Sequence, residues 1–260
     1  MAGAPPKSKE YDTGEGQTAL QASMTAPGAS ALKKYQAIAV GTESLWDLIK
    51  YELVILLVAP LPGALGFFLR KALYPYFLGA MGRNVVIGKG VTIRHPKKIR
   101  LGDGVMVDDY AVLDAKGESN RGIAIGANVM IGRNTVLSCK DGDLSIGDNA
   151  NIAMNCLIQS GKDVRIGQNV LMAAYVYIVG GGVHRSSRTD VPIIDQGQVI
   201  RDVVIDDNAW IGADVTIMDG VTIGRDAIIG AGAVVTQDVP EFTVAAGLPA
   251  RVRRDRRDQN

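Results

Sequence analysis

Aliphatic residues recur at every sixth position in the last third of the chain. The repeated positions are Ile205, Ile211, Ile217, Ile223, Ile229 and Val235, and a smaller apolar residue follows four places after each, at Ala209, Val215, Val221, Ala227, Ala233 and Val239. This period fits neither the turn of an α-helix nor the simple alternation of a single strand. Short strands that meet at fixed corners do fit it, with both apolar residues facing inward. Hexapeptide repeats of this kind are typical of a parallel β-helix.

The same pattern extends back to about residue 86 and falls into groups of three. Its earlier positions are Ile87, Ile93, Leu101, Val107, Leu113, Ile125, Ile131, Leu137, Ile146, Ile152, Ile158, Ile166, Met172 and Ile178. Three rungs therefore make one coil, and the pattern predicts a three-sided prism over residues 81–240. Each coil would bury its aliphatic row against the next coil.

Two intervals of the pattern require separate interpretation. We interpret the interval from Val107 to Ile125 as one full coil, in which residues 114–122 keep the register and Ser119 replaces an aliphatic residue. A role for 114–122, against a subunit neighbour or a substrate, stays open. The gap from Ile178 to Ile205 is far longer than a corner, so a loop over 180–203 is predicted to project from the prism.

The residues before the repeats divide into two parts. Residues 1–30 are rich in Gly, Pro, Ala, Ser and Thr and are predicted to be a disordered tail. Residues 31–80 are predicted to be helical, with Ser44 and Asp47 as a helix-capping pair. The stretch from Leu53 to Leu69 has no charge, but Pro and Gly interrupt it and it is too short to span a bilayer.

Two interpretations of residues 44–78 remain open. Trp46, Tyr74, Tyr76 and the basic pair Arg70 and Lys71 are typical of a segment with peripheral or re-entrant membrane contact. Alternatively, the segment is a helical cap that covers the open first rung of the β-helix or packs between subunits.

Composition excludes several classes of function. A net charge of +1 argues against a nucleic-acid-binding protein, which needs a concentrated basic face. Two cysteines make no disulfide framework, and Cys156 occupies an inward position, so we expect a buried free thiol. The only two histidines, His95 and His184, cannot supply a three-histidine zinc site, and no metal is expected. No secretory signal is recognisable, and a cytoplasmic location is expected.

The projecting loop holds the strongest candidate for chemistry. His184 lies in it after three glycines, in the sequence GGGVHRSSRTD. Loops on rigid scaffolds often carry catalytic groups, and a histidine can remove a proton near neutral pH. From the residues alone, a solvated loop histidine is the alternative. His95, in IRHPKKI on an early rung, is interpreted as structural.

The stretches GGGVHRSSRTD, WIG, DGVTIG, IGAGAVV and AAGLPAR occur in this order and resemble the hexapeptide-repeat acyltransferases. More narrowly, they resemble the galactoside, maltose and xenobiotic O-acetyltransferase group, over residues 84–254. Residues 1–80 look more like members associated with exopolysaccharide or lipid-linked sugar modification. The resemblance implies a left-handed β-helix, acetyl-CoA as the acyl donor, and a homotrimer with its active sites between adjacent prisms.

The resemblance also assigns roles in catalysis. It makes His184 the general base and places the active-site asparagine at Asn155, which is equally well explained as a corner residue that stabilises its own turn. It places a tryptophan that walls the acceptor site at Trp210, for which packing is the alternative. Asp190 and Asp195, in the same loop, are candidates to orient the imidazole.

For acetyl-CoA, the resemblance implies backbone contacts at two alanines, polar contacts near the last rungs and phosphate contacts from two arginines. These positions are Ala213, Ala231, Thr236, Gln237, Arg251 and Arg254. Many relatives carry Lys at the position of Gln237, so one phosphate contact is in doubt here. Residues 241–260 are predicted to be a C-terminal cap and basic tail, for which a merely solvated tail is the alternative.

Together these features predict an acetyl-CoA-dependent O-acetyltransferase that acts on a sugar hydroxyl of a glycan or polysaccharide precursor. Transfer would be direct, on the cytoplasmic side, with or without peripheral contact with the inner membrane face. The alternatives are an acetyltransferase for an antibiotic or other xenobiotic, and a non-catalytic β-helix scaffold.

Overall fold

The computed structural model describes residues 30–258 and the backbone of Tyr11 and Asp12. It confirms the predicted fold class, a left-handed parallel β-helix with about eight coils and an N-terminal helical segment. Of the predicted disordered tail, residues 1–10 and 13–29 lie outside the described residues. Tyr11–Asp12 forms a short strand, and the Ser30 side chain accepts from the Lys33 N–H as the cap of the first helix.

The helices of the described chain are α1 (Ala31–Ala39), α2 (Leu45–Leu57) and α3 (Gly63–Phe77), with 3-10 turns at Pro96–Lys98 and Ile193–Gln196. The strands are β1 (Tyr11–Asp12), β2 (Ala80–Met81), β3 (Val86–Ile87), β4 (Thr92–Arg94), β5 (Ile99–Leu101), β6 (Met106–Val107), β7 (Val112–Asp114), β8 (Ile123–Ile125), β9 (Met130–Ile131), β10 (Val136–Cys139), β11 (Leu144–Ile146), β12 (Asn151–Ile152), β13 (Leu157–Ser160), β14 (Val164–Ile166), β15 (Leu171–Met172), β16 (Tyr177–Gly180), β17 (Val183–His184), β18 (Gln198–Ile200), β19 (Val203–Ile205), β20 (Trp210–Ile211), β21 (Thr216–Ile217), β22 (Thr222–Ile223), β23 (Ile228–Ile229), β24 (Val234–Val235), β25 (Thr243–Ala246) and β26 (Arg251–Asp255).

Each coil contributes one strand to each of three sheets, which form the faces of the prism. The first face contains β2, β5, β8, β11, β14, β19 and β22; the second contains β3, β6, β9, β12, β15, β20, β23, β25 and β26; the third contains β4, β7, β10, β13, β16, β21 and β24. Pairing is parallel from coil to coil, so equivalent residues stack directly. On the second face one inward column contains Val107, Ile131, Ile152, Met172, Ile211 and Ile229, all buried.

One predicted coil is wrong. Val107 pairs with Ile131 rather than lying one coil below Ile125, and Ile125 instead pairs with Leu101 on another face. Residues 115–122 therefore form an insertion at a corner, and Ser119 is exposed instead of holding a rung position. The Asn120 side chain fastens the insertion, donating to the carbonyls of Lys116 and Gly142 at 3.1 Å each.

Asparagines line the corner between the first and second faces in a left-handed backbone conformation. Asn128, Asn149, Asn169 and Asn208 have φ values from 55° to 59°. Each side-chain amide donates to the next side-chain carbonyl up the prism, over 3.3, 3.2 and 3.0 Å. Asparagine tolerates this conformation better than most residues, so the ladder stabilises each turn and its neighbour together.

The helical segment covers the first coil of the prism. The Tyr51 hydroxyl donates to the Ile93 carbonyl at 2.9 Å, and the buried Arg70 guanidinium donates to the carbonyls of Ile87 and Leu61 at 2.8 and 2.7 Å. His95 is also part of this junction, because its Nε2 lies 2.8 Å from the Ala37 carbonyl oxygen and burial lowers the pKa of the ring. These contacts fit the structural role predicted for His95.

The outward side of the helical segment is apolar. Its exposed large residues are Leu45, Trp46, Ile49, Leu53, Leu56, Leu57, Leu65, Phe68, Leu73 and Tyr76. Within residues 30–258, no helix combines the length and apolar character needed to cross a bilayer. At the opposite end of the prism, β26 pairs antiparallel with β25 and extends the second face.

Candidate active site

The predicted projecting loop contains a β-hairpin that carries His184. β17 pairs antiparallel with β18, with Val183 opposite Val199 and His184 opposite Gln198. β1 adds a third strand on the other side of β18. Gly182 has a φ of 88°, a conformation that L side chains rarely adopt, and a Cβ there would lie 2.7 Å from Ile200. The glycines before His184 therefore let the chain leave the prism and turn into the hairpin.

His184 is half-buried, and its main side-chain contact is with Gln198. The Gln198 Nε2 atom lies 2.6 Å from the His184 Nε2 atom. The other ring nitrogen, Nδ1, is buried and has no hydrogen-bond partner within the described part of the chain. Gln198 belongs to no motif that the sequence makes visible. Its contact with the imidazole depends on the register of the hairpin.

The aspartates predicted to orient His184 make other contacts. The Arg188 guanidinium donates to Asp190 Oδ1 at 3.0 Å, and this bond lowers the pKa of the Asp190 carboxyl. Asp195 lies in the 3-10 turn Ile193–Gln196, where its backbone N–H donates to the Pro192 carbonyl. Neither carboxylate hydrogen-bonds to the imidazole within the described residues, and Gln198 occupies that place instead.

Asn155 lies at a different corner from His184, between the second and third faces. Its φ is 58°, and its side-chain oxygen accepts from Asn134 Nδ2 at 3.2 Å. Its backbone N–H donates to the Arg133 carbonyl at 3.0 Å. These contacts are those of a corner asparagine in an amide ladder. Within one chain, Asn155 and the His184 hairpin do not meet.

The two alanines predicted to contact acetyl-CoA lie at the same corner as Asn155, in adjacent coils. Both are exposed, and the Gly232 N–H donates to the Ala213 carbonyl at 2.8 Å. A Cβ at Gly212 would lie 2.6 Å from the Ala231 nitrogen, so the stacking here depends on small residues. The edge continues towards Ala246, which pairs with Arg251 on β26. A thin molecule could lie flat along this edge and end at Arg251.

Trp210 faces outward on the second face, with 49% of its surface exposed. It pairs with Leu171 below and Ile228 above, and Ile228 pairs in turn with Val244. Val244 pairs with Arg254, so Trp210 and Arg254 point from the same face of one sheet. Both lie beside the alanine edge.

Thr236 and Gln237 follow β24 on the third face. Both are exposed, but they lie at the corner from which the His184 loop also leaves. A single chain therefore separates the predicted residues into two groups. One group contains Asn155, Trp210, Ala213, Ala231, Arg251 and Arg254; the other contains His184, Thr236 and Gln237.

The arginines of the last strand differ in their partners. Within the described residues, no carboxylate forms an ion pair with Arg251 or Arg254. In contrast, the Arg257 guanidinium donates to Asp255 Oδ1 at 2.9 Å, and the contact lowers the pKa of that carboxyl to about 2. Arg257 is thus engaged within the C-terminal segment, whereas the Arg251 and Arg254 side chains are exposed, and Arg251 donates to the Ala250 carbonyl at 2.9 Å.

Both cysteines are free and buried, as predicted for Cys156. Burial raises the pKa of the Cys139 thiol to about 12 and also raises the pKa of Cys156. A thiol nucleophile needs the thiolate form, so neither cysteine is suited to form an acyl-enzyme near neutral pH. Within residues 30–258, no group of three or more His, Cys, Asp or Glu side chains is placed to hold a metal ion.

Comparison with known protein families identifies the repeats. Residues 202–237 match the bacterial transferase hexapeptide family (six repeats), and residues 122–160 match the hexapeptide repeat of succinyl-transferase. Parts of the β-helix thus match hexapeptide-repeat models of transferases, which agrees with the resemblance found in the sequence.

Among curated proteins, the chain is similar to the probable acetyltransferase Rv3034c of Mycobacterium tuberculosis. The two are 36% identical over 134 residues, which cover 52% of this chain and 44% of the relative. The matched region therefore spans less than half of the relative's length.

Two solved structures are similar to the chain. A mutant of AntD, an N-acyltransferase from Bacillus cereus in complex with dTDP-4-amino-4,6-dideoxyglucose and coenzyme A, is 22% identical with a TM-score of 0.51, covering 73% of this chain and 89% of that chain. The hexapeptide-repeat acetyltransferase VCA0836 from Vibrio cholerae, in complex with acetyl coenzyme A, is 23% identical with a TM-score of 0.46, covering 89% of this chain and 92% of that chain.

Proposed function

We propose that the chain is an acetyl-CoA-dependent O-acetyltransferase that acts on a sugar hydroxyl of a glycan or its precursor. The observation that carries the proposal is His184, the only histidine on the projecting hairpin, with an exposed edge of small residues available elsewhere on the prism. The name of the Mycobacterium tuberculosis relative supports the reaction class. The sugar acceptor follows from the resemblance of the sequence.

In the proposed reaction, neutral His184 accepts the proton of the acceptor hydroxyl while the oxygen attacks the thioester carbon. The carbonyl oxygen becomes an oxyanion, for which the backbone N–H of Ala213 is the candidate donor. The tetrahedral intermediate collapses, the carbon–sulfur bond breaks, and the CoA sulfur takes the proton from His184. General-base assistance contributes about 10²- to 10⁴-fold in rate, and an oxyanion donor about 10²- to 10³-fold.

A homotrimer would unite the two groups of predicted residues. His184 and the alanine edge lie at the two corners that bound the third face. The outward residues of the third face include Val136, Leu157 and Val234, whereas equivalent positions on the first face include Arg100 and Arg165. We therefore propose that the third faces pack around a common axis. Each His184 hairpin would then approach the alanine edge of a neighbouring chain.

We also propose that the helical segment makes peripheral contact with the inner membrane face. Trp46 and Phe68 are 72% and 63% exposed although both are large and apolar. The only cation between Lys50 and Lys71 is Arg70, and its guanidinium is buried against backbone carbonyls. Most of the outward face between these lysines is therefore apolar, with Glu52 as its exposed charge, which fits the interfacial region of a bilayer. In a trimer with parallel prisms, three such faces would lie at the same end.

Replacing His184 should remove the base without disturbing the prism. We expect His184→Ala to lower turnover about 10²- to 10⁴-fold, measured as CoA release with a panel of sugars, sugar nucleotides and polysaccharides. Calorimetric titration with acetyl-CoA and the thermal unfolding midpoint should match those of the unchanged protein. Ser186→Ala, on the same loop, is the matched control. Full turnover by His184→Ala would remove the base assignment, and absence of acetyl-CoA binding by both proteins would favour a scaffold.

The arginines of β26 should bind the phosphates of the donor. Arg251→Gln and Arg254→Gln should each weaken acetyl-CoA binding about 10- to 100-fold, since a charge-assisted hydrogen bond contributes about 1.5–3 kcal/mol. Acetyl-pantetheine, which lacks the nucleotide phosphates, should bind equally well to all variants. Arg257→Gln is the control because Arg257 already pairs with Asp255. An equal loss with both donors would contradict a phosphate role.

Light scattering should report a mass of three times 27.6 kDa for the full chain. Leu157→Glu should shift the protein towards monomers, because it places a charge on the face proposed to pack around the axis. Ser145→Glu, at an outward position of the first face, should leave the mass unchanged. A monomer for the unchanged protein would refute the trimer.

Vesicle co-sedimentation tests the membrane proposal. Leu56→Asp and Phe68→Asp should each reduce binding to phosphatidylcholine–phosphatidylglycerol vesicles by about tenfold, since burying one large apolar side chain contributes about 1.5–3 kcal/mol. Ser145→Asp should have no effect. If the unchanged protein does not sediment with vesicles, the segment is a cap alone.

A further inference from the structure

We propose that Gln198 is a positioning residue that holds the His184 imidazole in one orientation and one tautomer for proton transfer. The inference rests on the proposed function, because it takes His184 to be the general base. It adds a residue that the sequence resemblance does not assign. It also replaces the candidates Asp190 and Asp195 in that role.

The backbone register of the hairpin places Gln198 beside His184. His184 and Gln198 are directly opposite each other in the antiparallel pair formed by β17 and β18. Opposite residues in such a pair point from the same face, with Cβ atoms about 4.5–5.5 Å apart. The pairing of Val183 with Val199 and a hydrogen bond from the Arg185 N–H to the Gly197 carbonyl, 3.1 Å long, fix this register on both sides. The contact between amide and imidazole is therefore built into the hairpin.

The Gln198 amide can fix the tautomer of the His184 ring through a hydrogen bond. The Gln198 amide lies 2.6 Å from His184 Nε2. With its oxygen turned towards the ring, the amide accepts from Nε2–H, and the neutral ring keeps its lone pair on Nδ1, which has no hydrogen-bond partner within the described residues and is the atom that takes the proton of the acceptor. The same hydrogen bond from Nε2–H persists when Nδ1 takes the proton and the ring becomes imidazolium during the reaction. An amide can thus serve both states of the base. Unlike a carboxylate, it brings no charge that would hold the ring protonated.

Charged residues surround the hairpin, so it matters that the side chain in contact with the His184 ring, the Gln198 amide, is uncharged. β17 packs against β18 and the 3-10 turn Ile193–Gln196. The ionisable residues on these elements and at their ends are Asp195 on the turn, Arg185 after His184 and Arg201 after β18. Asp190 is held by Arg188, and the Gln196 amide donates to the Arg188 carbonyl at 2.8 Å. Gln198 is the residue that contacts the ring itself.

Two substitutions in the full-length protein separate positioning from mere packing. Gln198→Met keeps the side-chain size but removes the amide. We expect kcat to fall about tenfold, which corresponds to the loss of one hydrogen bond, and the KM for acetyl-CoA to stay unchanged.

Gln198→Glu puts a carboxylate against the His184 ring and favours its imidazolium form. The base is active only when deprotonated, so the acid limb of the pH–rate profile should move to higher pH, by about one unit. Gln196→Met, in the same loop, should leave the position of that limb unchanged.

Nitrogen-15 NMR of the imidazoles gives a readout that does not depend on turnover. The chain has only two histidines, so the ring signals can be assigned with His184→Ala, and His95 serves as an internal reference. The unchanged protein should show one dominant His184 tautomer, and Gln198→Met should show a mixture while the His95 signals stay fixed.

The outcomes distinguish the two proposals. Unchanged kcat and tautomer in Gln198→Met, together with an unmoved acid limb in Gln198→Glu, would overturn the role of Gln198 while an inactive His184→Ala keeps the proposed function. Full turnover by His184→Ala would instead overturn the proposed function itself.

Discussion

The structure depends on the stacking of inward aliphatic side chains in register from one coil to the next. Each short strand is too small to bury its apolar residue alone, so it requires an equivalent residue directly below and above. Ile152, for example, lies between Ile131 and Met172 in a continuous buried column. Because the faces must keep this register, additional residues are accommodated at corners. The insertion 115–122 and the His184 hairpin both occur at the corner between the third and first faces.

Residues at the corners are not held in the stacked aliphatic columns, so their backbone polar groups and side chains can take other roles. Left-handed asparagines stabilise several corners through amide ladders, and Asn155 belongs to one of them. At the hairpin corner, glycines let the chain depart from the prism. The same architecture thus produces rigid edges of small residues, suited to an extended ligand, beside a projecting element that can carry a base.

Both ends of the column need a cover, and the chain provides two different ones. At the N-terminal end, the helices bring Tyr51 and Arg70 onto the carbonyls of the first coil. The buried guanidinium satisfies backbone acceptors that a helix packed on a sheet edge would otherwise leave unpaired. At the other end, an antiparallel strand completes the second face and exposes Arg251 and Arg254. Each cover therefore exposes a surface of distinct chemistry, apolar at one end and cationic at the other.

The sequence by itself determined the prism, its aliphatic columns, the projecting loop and the buried state of Cys156, because these follow from a local period that every rung repeats. It misplaced the coil after Val107, since Ser119 happens to keep the spacing and residue counting cannot distinguish a rung from an insertion at a corner. Only the tertiary structure decided that Asn155 and His184 lie at different corners, because that depends on which coil and face each residue reaches. It also decided that Gln198, and neither aspartate, contacts the imidazole, because strand register in the hairpin brings together residues that no periodic pattern connects.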